Sequence, residues 1–334
     1  FPSAAIFNTR IDNTTSFPVH ASSSAWKSTI DATSTRRLHL DWGQSEDQSQ
    51  HSSYWGIPIN VVDGTSARTN WPQVSYSGGV PDESDCAVPD GAGGYNLQRN
   101  CQAVATPRLP IPQDASLKVE GGYCPVGQDC GASDHHILVL EAGRCRLWEA
   151  YYATGSAEQS ANGAWTLYGS AAWDLNSLEQ RPDGWTSADA AGLPIMPLLV
   201  RADEASAGEV KHPLRVTLQA SRMAASYVWP ARHKAGAGAG PIPFGALLRL
   251  RADFVIPSTW TTQAKAIATA MQRYGLYVAD IGSDLYIQGE PSAQWQSDTW
   301  TQLQSINLSQ FDFVSLNAIT SRAGFNPNSL AASW

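Results

Sequence analysis

The sequence predicts a mostly-β fold, an antiparallel β-sandwich or jelly roll carrying one or two short helices. Three observations predict it. Short runs of β-branched, aromatic and leucine residues recur along the chain with Gly, Pro, Asn or Asp between them. Helix-forming runs are scarce. The spacing of the strand-like runs suits stacked antiparallel sheets.

The strand candidates, in chain order, are 54–62, 135–141, 144–152, 164–173, 195–202, 209–219, 226–229, 246–256 and 284–288. The runs HHILVLE and RCRLWEAYY flank Ala142 and Gly143, which reads as a hairpin. One helix is expected over 259–274. Thr259 would cap it, residues 264–271 favour helix, and Gly275 would end it. A second covers about 298–305, and Ser187 would cap a single turn over 188–191. Residues 77–133 form a long loop region with four cysteines, and 234–243 (KAGAGAGPIP) a flexible connection. No internal repeat or shift of composition divides the chain, so residues 1–334 read as one β-sandwich domain.

Of 334 residues, 43% are hydrophobic and 16% charged, with a net charge of −8. A typical soluble domain carries about 25% charged residues. The surface must therefore draw on Ser, Thr, Gln and Asn, as exported proteins often do. No Lys/Arg stripe is present, which argues against a nucleic-acid partner. No apolar run reaches the roughly 18 residues of a membrane span. The chain opens at Phe1 without a cleavable signal and reads as a mature, secreted form. A monomer is expected.

Cys86, Cys101, Cys124 and Cys130 lie among Gly, Asp and Pro. They read as two local disulfides, Cys86 with Cys101 and Cys124 with Cys130, although sequence alone does not fix the pairing. No close Cys-x-x-Cys pairs suggest a metal. Cys145 is expected in a strand, as a buried free thiol.

A two-residue hairpin turn would pair Glu141 with Arg144, Leu140 with Cys145, Leu138 with Leu147, His136 with Glu149 and Asp134 with Tyr151. Alternation then puts Leu138, Leu140, Cys145 and Leu147 on the same face as His136, Glu149, Asp134 and Tyr151. An apolar patch running into an ionisable cluster is a place where acid–base residues are made. The plain alternative is a satisfied His–Glu pair closing the core. A turn longer by one residue would exchange the faces.

Four other constellations carry candidates. LHLDWG offers His39, Asp41 and Trp42, against a strand-end Asp capping a turn. RPDGWTSADAAGLP offers Asp183, Trp185, Ser187 and Asp189, against a Pro-Asp-Gly turn and a helix start. VRADEASAGEVKHPLRV offers Arg201, Asp203, Glu204, Glu209, His212 and Arg215, against a plain ion pair. YVWPARH offers Tyr227, Trp229, Arg232 and His233, while Asp280 and Asp284 in GLYVADIGSD read as more turn-like. No G-x-S-x-G elbow, phosphate loop or H-E-x-x-H motif is present.

Thirteen tryptophans and eleven tyrosines are many for this length. Sugar rings stack their C–H faces on aromatic side chains, and their hydroxyls pair with carboxylates and amides. Ordinary core packing accounts for at least half of these aromatics.

The strings DGWTSADAAGLP, LVRADE, GEVKHPLR, YVWPARH and GLYVADIGSDLYI resemble a family of secreted bacterial and fungal proteins with no assigned activity, over roughly 38–300. The resemblance carries over no catalytic residue. Likeness to jelly-roll glycoside hydrolases is one of general character, and the E-x-D-x-E strand of one large group is absent.

The resulting expectation is a secreted hydrolase acting on a polysaccharide of β-glucan type through two carboxyl groups. Glu149, Asp41, Asp203 and His136 are the catalytic candidates. Trp42, Trp148, Trp185, Trp229, Tyr151, Tyr227, Arg232, His233, Asp134 and Asp189 are the substrate-binding ones. No cofactor is called for, and structural calcium in the Asp-rich loops is left open. The alternatives are a lyase acting on uronate polymers, with His136 or His233 beside Tyr227 and Arg232, and a non-catalytic carbohydrate-binding protein.

Overall fold

Runs of β-branched, aromatic and leucine residues form sixteen strands among the described residues, joined by five short helices and several 3-10 turns. The computed structural model describes residues 1–50, 54–64, 71–76, 78–114, 116–122, 133–155 and 165–333. In the first half of the chain lie β1 (His39–Asp41), β2 (Ile59–Asp63), β3 (Val74–Ser75), β4 (Asp85–Pro89), β5 (Tyr95–Arg99), β6 (Ile137–Ala142), β7 (Arg146–Tyr151), β8 (Trp165–Thr166) and β9 (Gly169–Asp174). In the second half lie β10 (Leu214–Leu218), β11 (Met223–Tyr227), β12 (Ile242–Phe244), β13 (Leu247–Leu250), β14 (Leu276–Ile281), β15 (Tyr286–Gln288) and β16 (Phe311–Val314). The helices are α1 (Ser23–Ile30), α2 (Ala202–Ser206), α3 (Thr262–Arg273), α4 (Asp298–Gln304) and α5 (Asn317–Thr320). The fold is thus mostly β with short helices.

Two sheets organise it. A six-stranded sheet runs β1-β15-β10-β14-β13-β16, and a four-stranded sheet runs β2-β6-β7-β9. Both are mixed rather than purely antiparallel. The pairs β1/β15, β10/β14 and β2/β6 are parallel, while β6/β7, β7/β9, β13/β14 and β13/β16 are antiparallel. In β14, Leu276, Tyr277, Val278 and Ala279 are all buried, as a central strand covered on both faces requires.

Helix α3 packs Ala264, Ile267, Ala268 and Met271 into the core of the larger sheet, beside Leu214, Val216 and Leu218 of β10. Burying Ile267 or Met271 contributes roughly 1.5–3 kcal/mol each. The cap is Thr261, whose hydroxyl accepts from the Ala264 N–H at 3.0 Å, and not Thr259. Gly275 ends the helix at φ +80°, where its N–H reaches Ala270 O at 3.2 Å. The second expected helix is α4. Over 188–191 there is a turn closed by Gly192 N–H to Asp189 O at 3.0 Å, with no helix.

The smaller sheet is buried on both faces. Ile137, Val139, Trp148, Ala150 and Ala172 enter one core. Leu138, Leu147, Glu149, Ala171 and Trp173 face the other way, toward the segment over 187–200. That segment bonds the larger sheet through Ala191 N–H to Ala279 O and Val200 N–H to Gln288 O. It therefore lies between the sheets and fixes their spacing.

The Cys86–Cys101 disulfide is formed, with Cα atoms 6.0 Å apart. Cys124 and Cys130 lie outside the described residues. Cys145 corrects its expectation, being free, exposed and in the turn between β6 and β7 at φ +52°. Beside the disulfide, buried Asp85 receives hydrogen bonds from Arg181 and from the Ala172 N–H, and pairs with Arg99. Arg181, 1% exposed, also donates to Glu83 O and Thr186 O. The start of the RPDGWTSADAAGLP segment is thereby fastened to the disulfide-bearing strand.

Candidate functional site

The hairpin register decides which ionisable groups meet. Glu141 pairs with Arg146 rather than Arg144, so Leu138 faces Glu149 and Leu140 faces Leu147. The connection is two residues longer than a tight turn, and an even shift preserves the faces while changing every partner. His136 and Tyr151 lie close, with ring centroids 5.4 Å apart. Asp134 precedes β6, and its carbonyl accepts from the N–H of Tyr152, just past the end of β7, at 3.0 Å.

His136, 1% exposed, bonds Glu120 Oε2 through Nδ1 at 2.6 Å and Ala188 O through Nε2 at 2.9 Å. Both partners are acceptors, so both ring nitrogens carry protons. Burial works to lower the His136 pKa. The Glu120 charge and hydrogen bond outweigh it and bring the ring up to about 9. Burial likewise works to raise Glu120, but the His136 cation holds that carboxyl below its ordinary value.

On the larger sheet, the β10/β14 register shifts between Val216 and Thr217. The shift sets Ala279 as an extra residue on β14 and turns Asp280 onto the Arg215–Thr217 face. Arg215, fully buried, donates through Nη2 to Asp189 and to Asp280 Oδ2, the latter at 3.1 Å. Burial raises the Asp189 carboxyl against the pull of that guanidinium. Asp41 ends β1 opposite Gln288 of β15. Burial and the nearby Glu120 charge push it up to about 6, with Arg215 and a Gln288 hydrogen bond opposing.

These groups surround a cleft of two lobes that share Asp134, Asp280 and Ile281. One lobe, about 340 Å³, also has Glu83, Tyr151, Tyr168, Asp189 and His233 in its wall. The other, about 570 Å³, has Asp41, Trp55, Glu120, Thr217, Tyr286 and Gln288. Trp55 and Tyr168 are exposed at 58% and 44%. Tyr286 stacks on His39 with centroids 4.6 Å apart.

Of the residues singled out from sequence, Asp41, Asp134, Tyr151, Ser187, Asp189, His233 and Asp280 line this cleft, and His136 stands behind it. The others do not. Glu149 is 0% exposed and accepts from the Ile195 and Met196 N–H groups and from Trp173 Nε1. A sealed carboxylate with three donors does not reach a ligand, which corrects its place as a catalytic candidate. Asp203 is exposed in the first turn of α2, and its expected partner Arg201 pairs with Glu204 instead. Arg232 is buried and binds Arg181 O, Pro327 O and Asn328.

Trp42 is buried against Trp295 and Trp300. Trp148 is buried and donates to Glu141 at 2.6 Å. Trp185 stacks under Arg181, Trp229 donates to Ser329 O at 3.0 Å, and Tyr227 donates to Asp183 at 3.1 Å. All five lie off the cleft walls.

Glu120 was not singled out from sequence, because it sits inside the cysteine-rich loop region. Its only signal was an acidic residue before Gly121 and Gly122. Trp55 reads from sequence as one of the tryptophans beside polar or turn residues, within the strand candidate 54–62. Among the described residues, no group of three or more His, Cys, Asp or Glu side chains could hold a metal ion. No helix of the described residues is long and apolar enough to cross a membrane.

No family model, no curated protein and no solved structure matches the chain.

Proposed function

We propose that the chain is a secreted glycoside hydrolase that cleaves a polysaccharide in this cleft, with Asp41 as the general acid and Glu120 as the ionised carboxylate. The observation that carries the reading is one lobe holding both carboxyls beside an exposed tryptophan. Their surroundings push them in opposite directions, Asp41 toward the protonated form and Glu120 toward the charged form. A glycosidase needs that division of labour, a proton for the leaving oxygen and a charge to activate water or attack carbon. Trp55 is exposed beside the two carboxyls, and Tyr151 and Tyr168 line the adjoining lobe, so aromatic rings are present where a sugar would lie. His136 acts as a positioning residue that keeps Glu120 ionised. The disulfide and the low charge content support an oxidising compartment.

The lyase alternative loses His136, whose two nitrogens are occupied by acceptors, and Arg232, which is buried elsewhere, and keeps only His233 in the cleft wall, with its Nδ1 bonded to Ala190 O. The test is release of reducing ends from a panel of polysaccharides by the wild type and Asp41→Asn. Release that falls about 10²–10⁴-fold in a folded Asp41→Asn supports the reading. Release unchanged by that substitution refutes the role of Asp41. Retention of a polysaccharide without any cleavage refutes the enzyme and favours a carbohydrate-binding protein.

A further inference from the structure

Tyr151, Tyr152 and Tyr168 form a connected group of rings beside the lobe that holds Asp41 and Glu120. Tyr151 and Tyr168 meet edge to face with centroids 5.7 Å apart, and Tyr151 and Tyr152 lie 6.1 Å apart. Tyr151 and Tyr168 line the smaller lobe, and Tyr152 carries the group outward at 46% exposure. On its inner side Tyr151 meets the His136 ring, which bonds Glu120. The two lobes share Asp134, Asp280 and Ile281, so the tyrosines adjoin the carboxyls without a break in the cleft.

The backbone departs from a regular strand where this group is built. Successive side chains of a strand point to opposite faces, which would carry the rings of Tyr151 and Tyr152 apart. Tyr152 instead leaves β7 at φ +52°, and His135, opposite it if the β6/β7 register continues, stands at φ +48°. Their rings meet at 6.1 Å. A left-handed backbone is unfavourable for bulky side chains, and the Tyr152 ring is exposed, so core packing does not offset it. The wall around the rings is polar, with Glu83, Asp134 and His233 in the same lobe. A wholly apolar ligand would strand those groups. A sugar chain brings C–H faces to the rings and hydroxyls to the polar groups.

From the tyrosine group and its continuity with the carboxyl lobe, we infer that the smaller lobe is a second sugar-binding subsite, which holds the units of a β-linked glucan next to the unit attacked in the larger lobe. This rests on the hydrolase reading for the place of the cut, but not for the holding of the chain. Tyr151 and Tyr168 take the units nearest the cut, and Tyr152 takes the chain where it leaves the cleft. Binding energy from such remote units is available to the reacting centre, so longer chains are the better substrates.

The experiment reads the gain from chain length, the affinity for a hexasaccharide over that for the disaccharide, by calorimetry on Asp41→Asn protein, which leaves the ligand intact. The probes are cellobiose and cellohexaose, laminaribiose and laminarihexaose, and a hexaproline peptide. If Asp41→Asn does not fold, the same ratio is read as kcat/KM in the wild-type background, or as binding where wild type cleaves nothing. In one of the two linkage series the hexasaccharide should bind at least about tenfold tighter than the disaccharide. Tyr168→Ala should lower that ratio about tenfold, the scale of one aromatic contact, and Tyr168→Trp should restore it. Tyr152→Gly suits the left-handed backbone, so its melting temperature should hold while the ratio falls. A ratio unchanged by Tyr168→Ala and Tyr152→Gly overturns the inference, as does a melting temperature that falls in Tyr152→Gly with the ratio intact. Absence of binding in both series, or tighter binding of hexaproline, also overturns it. If wild type cleaves the hexasaccharide and the ratio does not depend on the tyrosines, the inference fails and the hydrolase stands. If the tyrosines hold the hexasaccharide and nothing is cleaved, the hydrolase fails and the sugar-binding subsite stands.

Discussion

His136 Nδ1 lies 2.6 Å from Glu120 Oε2, so the histidine just before β6 is neutralised from a loop and not from the neighbouring strand. The ring is raised from 6.5 to about 9. Its stabilising contribution is therefore complete below pH 6.5 and is lost as pH rises through about 9. A shift of that size corresponds to about 3 kcal/mol. Urea unfolding at pH 6 and pH 9.5 should show this loss in the wild type and a much smaller one in His136→Gln. Equal losses in both proteins would contradict the pairing.

Glu149 holds the chain between the sheets. Its two oxygens accept from Ile195, Met196 and Trp173. Glu149→Leu would leave these buried donors without a partner, at about 1–3 kcal/mol for each. A marked fall in melting temperature is expected, with the folded fraction retaining its activity. Full stability with loss of activity would return Glu149 to the chemistry.

The pair formed by Asp85 and Arg181 is buried on both sides. Arg181→Met should cost about 3–5 kcal/mol, because it leaves the Asp85 charge underpaired. The double variant with Asp85→Asn should recover most of that loss. A denaturant-based double-mutant cycle checks this, and additive losses would show that the two charges do not depend on each other.

Cys86 and Cys101 close a loop of 15 residues. Opening it by Cys86→Ser with Cys101→Ser should lower stability by about 3 kcal/mol. The same comparison under reducing conditions should abolish the difference between variant and wild type.

Much of the β character was legible because strands such as β6 and β7 are leucine-, β-branched- and aromatic-rich runs bounded by turn residues. The faces of that hairpin were readable because side chains alternate along any strand and the turn differs from a two-residue one by an even number. Its partners were not, since turn length sets register and Cys145 adopts a turn conformation that no local rule demanded. Strand β14 was misread as turn-like because Asp280 follows a short apolar run, and only a bulge explains its direction. Residues 195–202 looked like a strand, yet they form a 3-10 turn and the start of α2, as tertiary packing overrides local propensity. Asp41 was legible as a strand-end acid. Glu120 was not, because its meaning comes from His136, sixteen residues away in sequence and 2.6 Å away in space.

The measurement closest to the central claim is the pH profile of kcat/KM for reducing-end release, in wild type and Asp41→Asn. The account predicts a rise as Glu120 ionises below pH 4.5 and a fall centred near pH 6 as Asp41 loses its proton. In Asp41→Asn the rate should drop about 10²–10⁴-fold and the fall near pH 6 should vanish. A wild-type rate with an unchanged fall near pH 6 in that variant would contradict the account.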